Sequence, residues 1–256
     1  MNHASSDGSA GDANYAVIGP GYQKYRQPEP EFAARIETAL GDAQRVLNVG
    51  AGAGSYEPVD RDVTAVEPSE SMRAQRPAHL SPAIDAVAEN LPFDDGAFDA
   101  VMTTFSVHQW QKLERGLGEL RRVSRGPIVI LTCDPRLLDR FWLNEYAPEV
   151  IQTEARRYPS IDRLTEGLGG SATVANVPIP LGCVDGFSEA YYGRPEMLLD
   201  PGARKANSAW SFVPDHIAAR SVDRLREGLL DGTWDQLHGT LRTTPHFEGS
   251  LVLITT

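Results

Sequence analysis

A short apolar run, Val46-Leu-Asn-Val49, feeds directly into Gly50, Gly52 and Gly54. Glycine lets a chain turn sharply after a strand and come into contact with a bulky ligand, because it has no Cβ to collide. The spacing is G-x-G-x-G, whereas a dinucleotide-binding turn would place its third glycine at position 55, which is Ser55. Taken alone, the turn also fits a tight strand-to-helix connection that binds nothing. A second apolar run, Val63-Thr-Ala-Val66, ends at Glu67. A carboxylate at that point can accept hydrogen bonds from two adjacent hydroxyls such as those of a ribose, although a lone Glu beside a helix start can equally be a surface carboxylate favoured by the helix dipole. Further on, Phe98 to Thr103 leads into Thr103-Thr-Phe-Ser-Val-His-Gln-Trp110. His108 near the end of a strand can line a pocket, act as a general base or simply pack in a loop.

These segments resemble the motifs of class I S-adenosylmethionine-dependent methyltransferases, specifically the small-molecule enzymes of the type-11 family. The resemblance covers roughly residues 15 to 135 and continues more loosely beyond. It implies that Gly50, Ala51, Gly52 and Gly54 cradle the cofactor and that Glu67, followed by Pro68, holds the ribose. The stretch Ala86-Val-Ala-Glu-Asn-Leu-Pro-Phe93 is similar to the adenine-side loop. The family commonly carries an acidic residue where this chain has Val87, so adenine recognition would rest on the backbone of Ala88 and on Glu89. Thr104 would pass beneath the methionine end, with His108 and Trp110 at the mouth between cofactor and acceptor.

The N-terminal segment Tyr15 to Arg26 resembles one that folds over the bound cofactor. Arg26 would then pair bidentately with the methionine carboxylate, as a guanidinium does better than an ammonium, or else remain a surface residue before a helix. Tyr15 and Tyr25 would cover the methyl group or anchor this lid. The expected activity is methyl transfer to an O, N or C nucleophile of a secondary-metabolism or quinone-like compound, with S-adenosylhomocysteine as coproduct and His108 as the candidate base. Tyr15, His108, Trp110 and Tyr191 are the expected acceptor contacts. Two other classes stay open: a silent S-adenosylmethionine-binding protein and a nicotinamide-dependent oxidoreductase.

The elements that must position these residues follow an alternation of apolar runs and helical patterns, the sequence form of repeated βαβ units. We expect an α/β, Rossmann-like sheet of seven strands, mostly parallel, with helices on both faces. Strands are predicted at 46–49, 63–66, 83–87, 98–103, 127–132, 173–177 and 250–255. Helices are predicted from about Pro28 to Leu40, over 69–76, over 113–123, and over 136–158 with an interruption at Pro148. About seventy residues separate the last two strands, too many for a plain loop, so a helical insertion over 182–248 is expected to cap the carboxyl ends of the strands. The expected organisation is a disordered tail over 1–14 and one domain over 15–256, with a lid at 15–28. Trp142, Tyr146, Tyr191, Tyr192, Trp210, Phe212 and Trp234 supply aromatic surface either for an acceptor pocket or for the core of the cap.

The 256 residues carry a formal net charge of −11 with dispersed Lys and Arg, which disfavours a nucleic-acid partner. The two cysteines, Cys133 and Cys183, suggest neither a disulfide framework nor a zinc site, and a reducing cytoplasm is the simplest location. No metal is expected, no membrane segment is visible, and oligomeric state is not legible.

Overall fold

The computed structural model describes residues 21–256; the expected tail and Tyr15 lie outside the described residues. In chain order the strands are β1 (Arg45–Val49), β2 (Asp62–Val66), β3 (Ala100–Thr104), β4 (Ile128–Cys133), β5 (Thr173–Asn176), β6 (Ile179–Pro180), β7 (His246–Phe247) and β8 (Leu251–Thr255). Six of them form one sheet in the order β2-β1-β3-β4-β8-β5, and β6 and β7 form a separate ribbon. The pairs among β1 to β4 are parallel, while β8 runs antiparallel to both β4 and β5.

The sheet is therefore six-stranded and mixed, not seven-stranded and mostly parallel. The expected strand at 83–87 is reduced to a single bridge between Ile84 and Val66. Pro82 has no N–H to extend that ladder, and the segment from Ser81 to Asp85 is largely exposed, so no second layer holds it flat.

Helices flank the sheet. Among those before the cap, α1 spans Tyr22–Tyr25, α2 Pro30–Leu40, α3 Glu70–Arg73, α4 Leu113–Val123, α5 Leu143–Tyr146, α6 Pro148–Arg157 and α7 Ile161–Gly167. α2 opens on Pro30, with the Glu29 carboxylate accepting the Glu31 N–H, and closes at Gly41, whose φ is +57°. α4 places Leu113, Leu117, Leu120 and Val123 on one buried stripe, with Glu114 in its first turn and Arg121 and Arg122 in its last, as the helix dipole favours. Pro148 begins α6 instead of interrupting a longer helix, because its missing N–H is not needed at the first helical position.

Alternate side chains of the strands feed two cores. Val46, Met102, Val129 and Leu131 pack with Phe32, Ile36 and Leu40 of α2 on one side of the sheet. Leu47, Val49, Val101 and Ile130 pack with Leu117 and Leu120 of α4 on the other. β4 is buried along its whole length, the mark of a strand covered on both faces.

Between β6 and β7 the chain builds a cap from α8 (Pro201–Lys205), α9 (Asp215–Leu230), α10 (Thr233–His238) and several short 3₁₀ turns. Its interior is aromatic. Trp142 meets Trp234 edge-on at 5.4 Å and donates its indole N–H to the Tyr192 carbonyl at 2.9 Å, and Tyr192 stacks on Phe247 at 5.1 Å. Trp234 and Tyr192 have no exposed surface, and Tyr146, Tyr191 and Trp210 are buried as well. These rings hold the cap together. Among the described residues no helix is long and apolar enough to cross a membrane, and no group of His, Cys, Asp and Glu is arranged to hold a metal ion.

Candidate active site

The carboxyl ends of β1, β2 and β3 open into one cleft of about 850 Å³, measured with its mouth open to solvent. Ligands bind at this edge of open α/β sheets. After β1 the chain turns through Gly50, Gly52 and Gly54, with φ of +68°, +52° and +96°. Each is a conformation that side-chain-bearing residues rarely adopt.

What excludes a Cβ differs along the turn. At Gly50 it would lie 1.9 Å from the Ser106 hydroxyl oxygen, and at Gly54 2.3 Å from a Leu80 methyl. Both glycines thus make room for the protein itself, and Gly54 does not border the cleft, contrary to the cofactor contact expected there. Gly50, Ala51 and Gly52 do border it. A Cβ on Gly52 would come 3.3 Å from the Met72 terminal methyl, another cleft residue, so glycine keeps that wall thin.

Glu67 stands across from this turn. One carboxylate oxygen accepts the Gly52 N–H at 2.8 Å and the other accepts the Ser69 N–H at 2.8 Å. Burial raises the Glu67 carboxyl above its ordinary range, opposed by those two N–H groups and by Arg73 and Arg76. A carboxylate has about four acceptor positions, so two remain for a ligand. Pro68 and Ala88 lie on the same cleft wall. Glu89 does not: its carboxylate accepts the Lys112 N–H at 3.0 Å, and it borders a separate depression with Val87, Asn90 and Gln111. The expected direct adenine contact of Glu89 is corrected accordingly, because its charge is spent at the start of α4.

Thr104 ends β3 inside the cleft, and Phe105 follows with a φ of +50°. A phenylalanine in that conformation is strained, and here the Phe105 N–H is anchored to the Leu131 carbonyl at 2.9 Å. The strain swings the Phe105 ring beneath the Arg26 guanidinium, 5.1 Å from its centroid, and against Phe187 of the cap at 5.4 Å. Trp110 closes the cleft with its indole N–H on the Ser106 hydroxyl at 3.0 Å.

Arg26 joins the N-terminal segment to the cap. Its Nε donates to Asp185, whose other oxygen accepts the Tyr56 hydroxyl at 2.6 Å. The terminal nitrogens of Arg26 make no hydrogen bond among the described residues. Tyr25 faces elsewhere: its hydroxyl donates to Asp200 at 2.8 Å and its ring fills the space over Gly202. It is an anchor between α1 and α8 and not a cleft residue. Tyr191, expected to contact the acceptor, instead packs over Gly186 and beside the Arg194 guanidinium inside the cap.

Tyr22, Arg26 and Phe105 also border a second chamber of about 440 Å³ under the cap. His108 is here, with its ring against Tyr158 at 4.4 Å between centroids. Gln109 Nε2 donates to His108 Nε2 at 3.0 Å, which leaves the imidazole proton on Nδ1. Burial first, then Arg157 and Arg26, holds this imidazole well below its usual 6.5. The ring is neutral in the neutral range and lines the chamber. Glu154, Phe187 and Asn207 complete that wall. The sequence offered no motif for Tyr56, Asp185 or Glu154; the first two meet at the cleft, and α6 brings Glu154 to the chamber.

The methyltransferase-domain family model matches residues 47–129, from β1 through the first residues of β4. An uncharacterized methyltransferase of Mycobacterium tuberculosis is 31% identical over 199 residues, covering 72% of this chain and 73% of its own length. A demethylmenaquinone methyltransferase of Mycolicibacterium gilvum is 31% identical over 106 residues, 40% of this chain and 46% of that one. A crystal structure from Anabaena variabilis, described as a methyltransferase from an antibiotic biosynthesis pathway, superposes with a TM-score of 0.83 at 27% identity, covering 91% of this chain and 99% of that one.

Proposed function

From the premise that this chain belongs to the class I S-adenosylmethionine-dependent methyltransferases, we propose that it methylates a small-molecule acceptor held in the chamber under the cap. The observation that carries the reading is the adjacency of two spaces that share a wall. A cleft bordered by the glycine turn and Glu67 meets a smaller chamber at Tyr22, Arg26 and Phe105.

The cleft fits the cofactor by its own chemistry. Glu67 retains two acceptor positions for a pair of ribose hydroxyls, and the thin wall at Gly52 admits a close approach. The backbone beside Ala88 would face the adenine. The two terminal nitrogens of Arg26 would take the carboxylate of the methionine end, next to Thr104. When bound, the sulfonium supplies an electrophilic methyl carbon, so alignment and exclusion of water are what the protein must provide. Phe105, Phe187 and the Tyr158 ring would exclude water around an acceptor, and Trp110 would close the cleft mouth. His108 would orient the acceptor through its Nδ1–H. The two buried thiols, Cys133 and Cys183, are compatible with a reducing cytoplasm.

Calorimetric titration with S-adenosylhomocysteine and with NAD tests the reading. Binding of the former and not the latter is expected, together with loss of that binding in Glu67→Ala. Tighter binding of NAD would overturn it.

A further inference from the structure

The chamber under the cap is more specific than a greasy pocket. Two of the residues that line it carry a buried polar atom that makes no hydrogen bond among the described residues, Glu154 Oε2 and His108 Nδ1. Glu154 is only 9% exposed. Its position is set by α6, the helix that Pro148 starts, and the turn of the cap that carries Asn207 closes the same space. Asn207 itself is fully engaged: its amide N–H groups donate to the Gly186 and Ala203 carbonyls at 3.0 and 2.8 Å, and its oxygen accepts from Ser188.

Buried polar atoms are nearly always satisfied, because leaving water without a replacement partner is costly. One orphan on a wall is an exception; two on the same wall, of complementary type, describe a ligand. Burial raises the Glu154 pKa, opposed by Arg157, Arg26 and the Ser188 hydroxyl, and as a carboxylate its free oxygen can only accept. His108 Nδ1 bears the proton, since Nε2 is occupied by the Gln109 amide, so it donates. Around them stand the rings of Tyr22, Phe105, Tyr158 and Phe187. A space walled by aromatic faces suits a planar ring.

Resting on the proposed methyl transfer, we infer that the acceptor is a hydroxylated aromatic whose O–H donates to Glu154 and whose hydroxyl oxygen, that one or a second, accepts from His108. Glu154 and His108 are then the residues that determine acceptor specificity. A hydrocarbon of the same shape leaves both atoms unpaired and is rejected. This type of discrimination is strong, because a site built to hydrogen-bond a hydroxyl loses its partners when the hydroxyl is missing.

The test uses the full chain saturated with S-adenosylhomocysteine, with phenol, catechol and 2-naphthol as probes and toluene and naphthalene as their matched hydrocarbons. Expected is binding of the hydroxylated probes alone and, with S-adenosylmethionine, transfer of its methyl from sulfur to the probe's hydroxyl oxygen, with the phenolic proton passing to Glu154 and S-adenosylhomocysteine left as coproduct. Glu154→Leu should weaken probe binding about 10- to 100-fold, the size of one hydrogen bond to a charged group, at unchanged S-adenosylhomocysteine affinity. Should that variant fail to fold, His108→Phe, which keeps a ring against Tyr158, carries the same expectation. Normal S-adenosylhomocysteine binding with no preference for hydroxylated probes, or with both variants binding them as wild type does, overturns the acceptor class and leaves the methyltransferase reading intact. Failure of S-adenosylhomocysteine to bind overturns that reading and this inference with it.

Discussion

The Glu67 carboxylate accepts the backbone N–H of Gly52 at 2.8 Å, so the residue that ends β2 also fixes the turn that follows β1. On the proposed cofactor site, recognition and loop shape are coupled through one side chain. Glu67→Ala would then remove both ribose acceptors and release the turn. With each hydrogen bond to a charged group worth about 1.5–3 kcal/mol, affinity for S-adenosylhomocysteine should fall at least about 100-fold. Calorimetry on the folded variant checks this, and unchanged affinity would remove Glu67 from the site.

Gly50 is required by its neighbour and not directly by a ligand. Gly50→Ala drives a Cβ to 1.9 Å from the Ser106 hydroxyl oxygen at a φ of +68°, and should destabilise the protein by roughly 1–3 kcal/mol. Ser106→Gly removes the obstacle but also a hydrogen bond to Trp110. The double variant should then be less destabilised than the sum of the two singles, as contacting residues are. Additive urea-unfolding energies would mean that the clash is not the cause.

His108 should show no ionisation near the reference value of 6.5. Burial, Arg157 and Arg26 lower its pKa, so the ring is neutral throughout the neutral range and protonates only in more acid solution. The wild-type rate should be insensitive to this group above pH 6.5, and His108→Phe should raise the acceptor's Michaelis constant more than it lowers turnover. A loss of turnover of about 10²–10⁴-fold, accompanied by removal of an ionisation from the profile, would restore the general base.

Glu189 gives the fold a pH dependence of its own. Burial pushes its carboxyl from an ordinary value near 4.5 up to about 7, although it accepts the N–H and hydroxyl of Ser250 at the start of β8. Between these values the folded chain binds more protons than the unfolded one, so stability falls as pH rises from about 4.5 through 7 and levels off above. The loss attributable to Glu189 is on the order of 3 kcal/mol at 1.36 kcal/mol per unit. Unfolding free energies at pH 5 and pH 8 should differ by about 2.5 kcal/mol more in the wild type than in Glu189→Gln, since part of the loss precedes pH 5 and other buried carboxyls act equally in both. Equal differences in the two proteins would contradict it.

The helix of α4 was legible in the sequence residue by residue, because Leu113, Leu117, Leu120 and Val123 repeat at helical spacing and the charges at its ends match the dipole. The parallel strands that carry the turn and Glu67 were legible for a similar reason: short apolar runs end in residues with few other uses. Local pattern failed at 83–87, where β-propensity could not reveal that Pro82 and solvent would leave one bridge in place of a strand.

What the sequence by itself determined is the part of the site made by neighbours along the chain: Gly50, Ala51 and Gly52 after one strand, Glu67 after the next, Thr104 after a third. A strand, a turn and the residue beyond it are positioned by local backbone geometry, so their spacing is information enough. Only the tertiary structure decided the rest. Arg26 meets Asp185 across 159 residues, and Tyr56 meets the same carboxylate across 129, contacts that no periodicity encodes. Tyr25 and Arg26 are adjacent in sequence yet face opposite ways, one toward α8 and the other toward the cleft. The cap's tryptophans and tyrosines read equally well as pocket or core, and packing alone assigned them to the core. The chamber fell instead to Phe105, His108, Glu154 and Tyr158, because burial of a polar atom without a partner depends on every element around it.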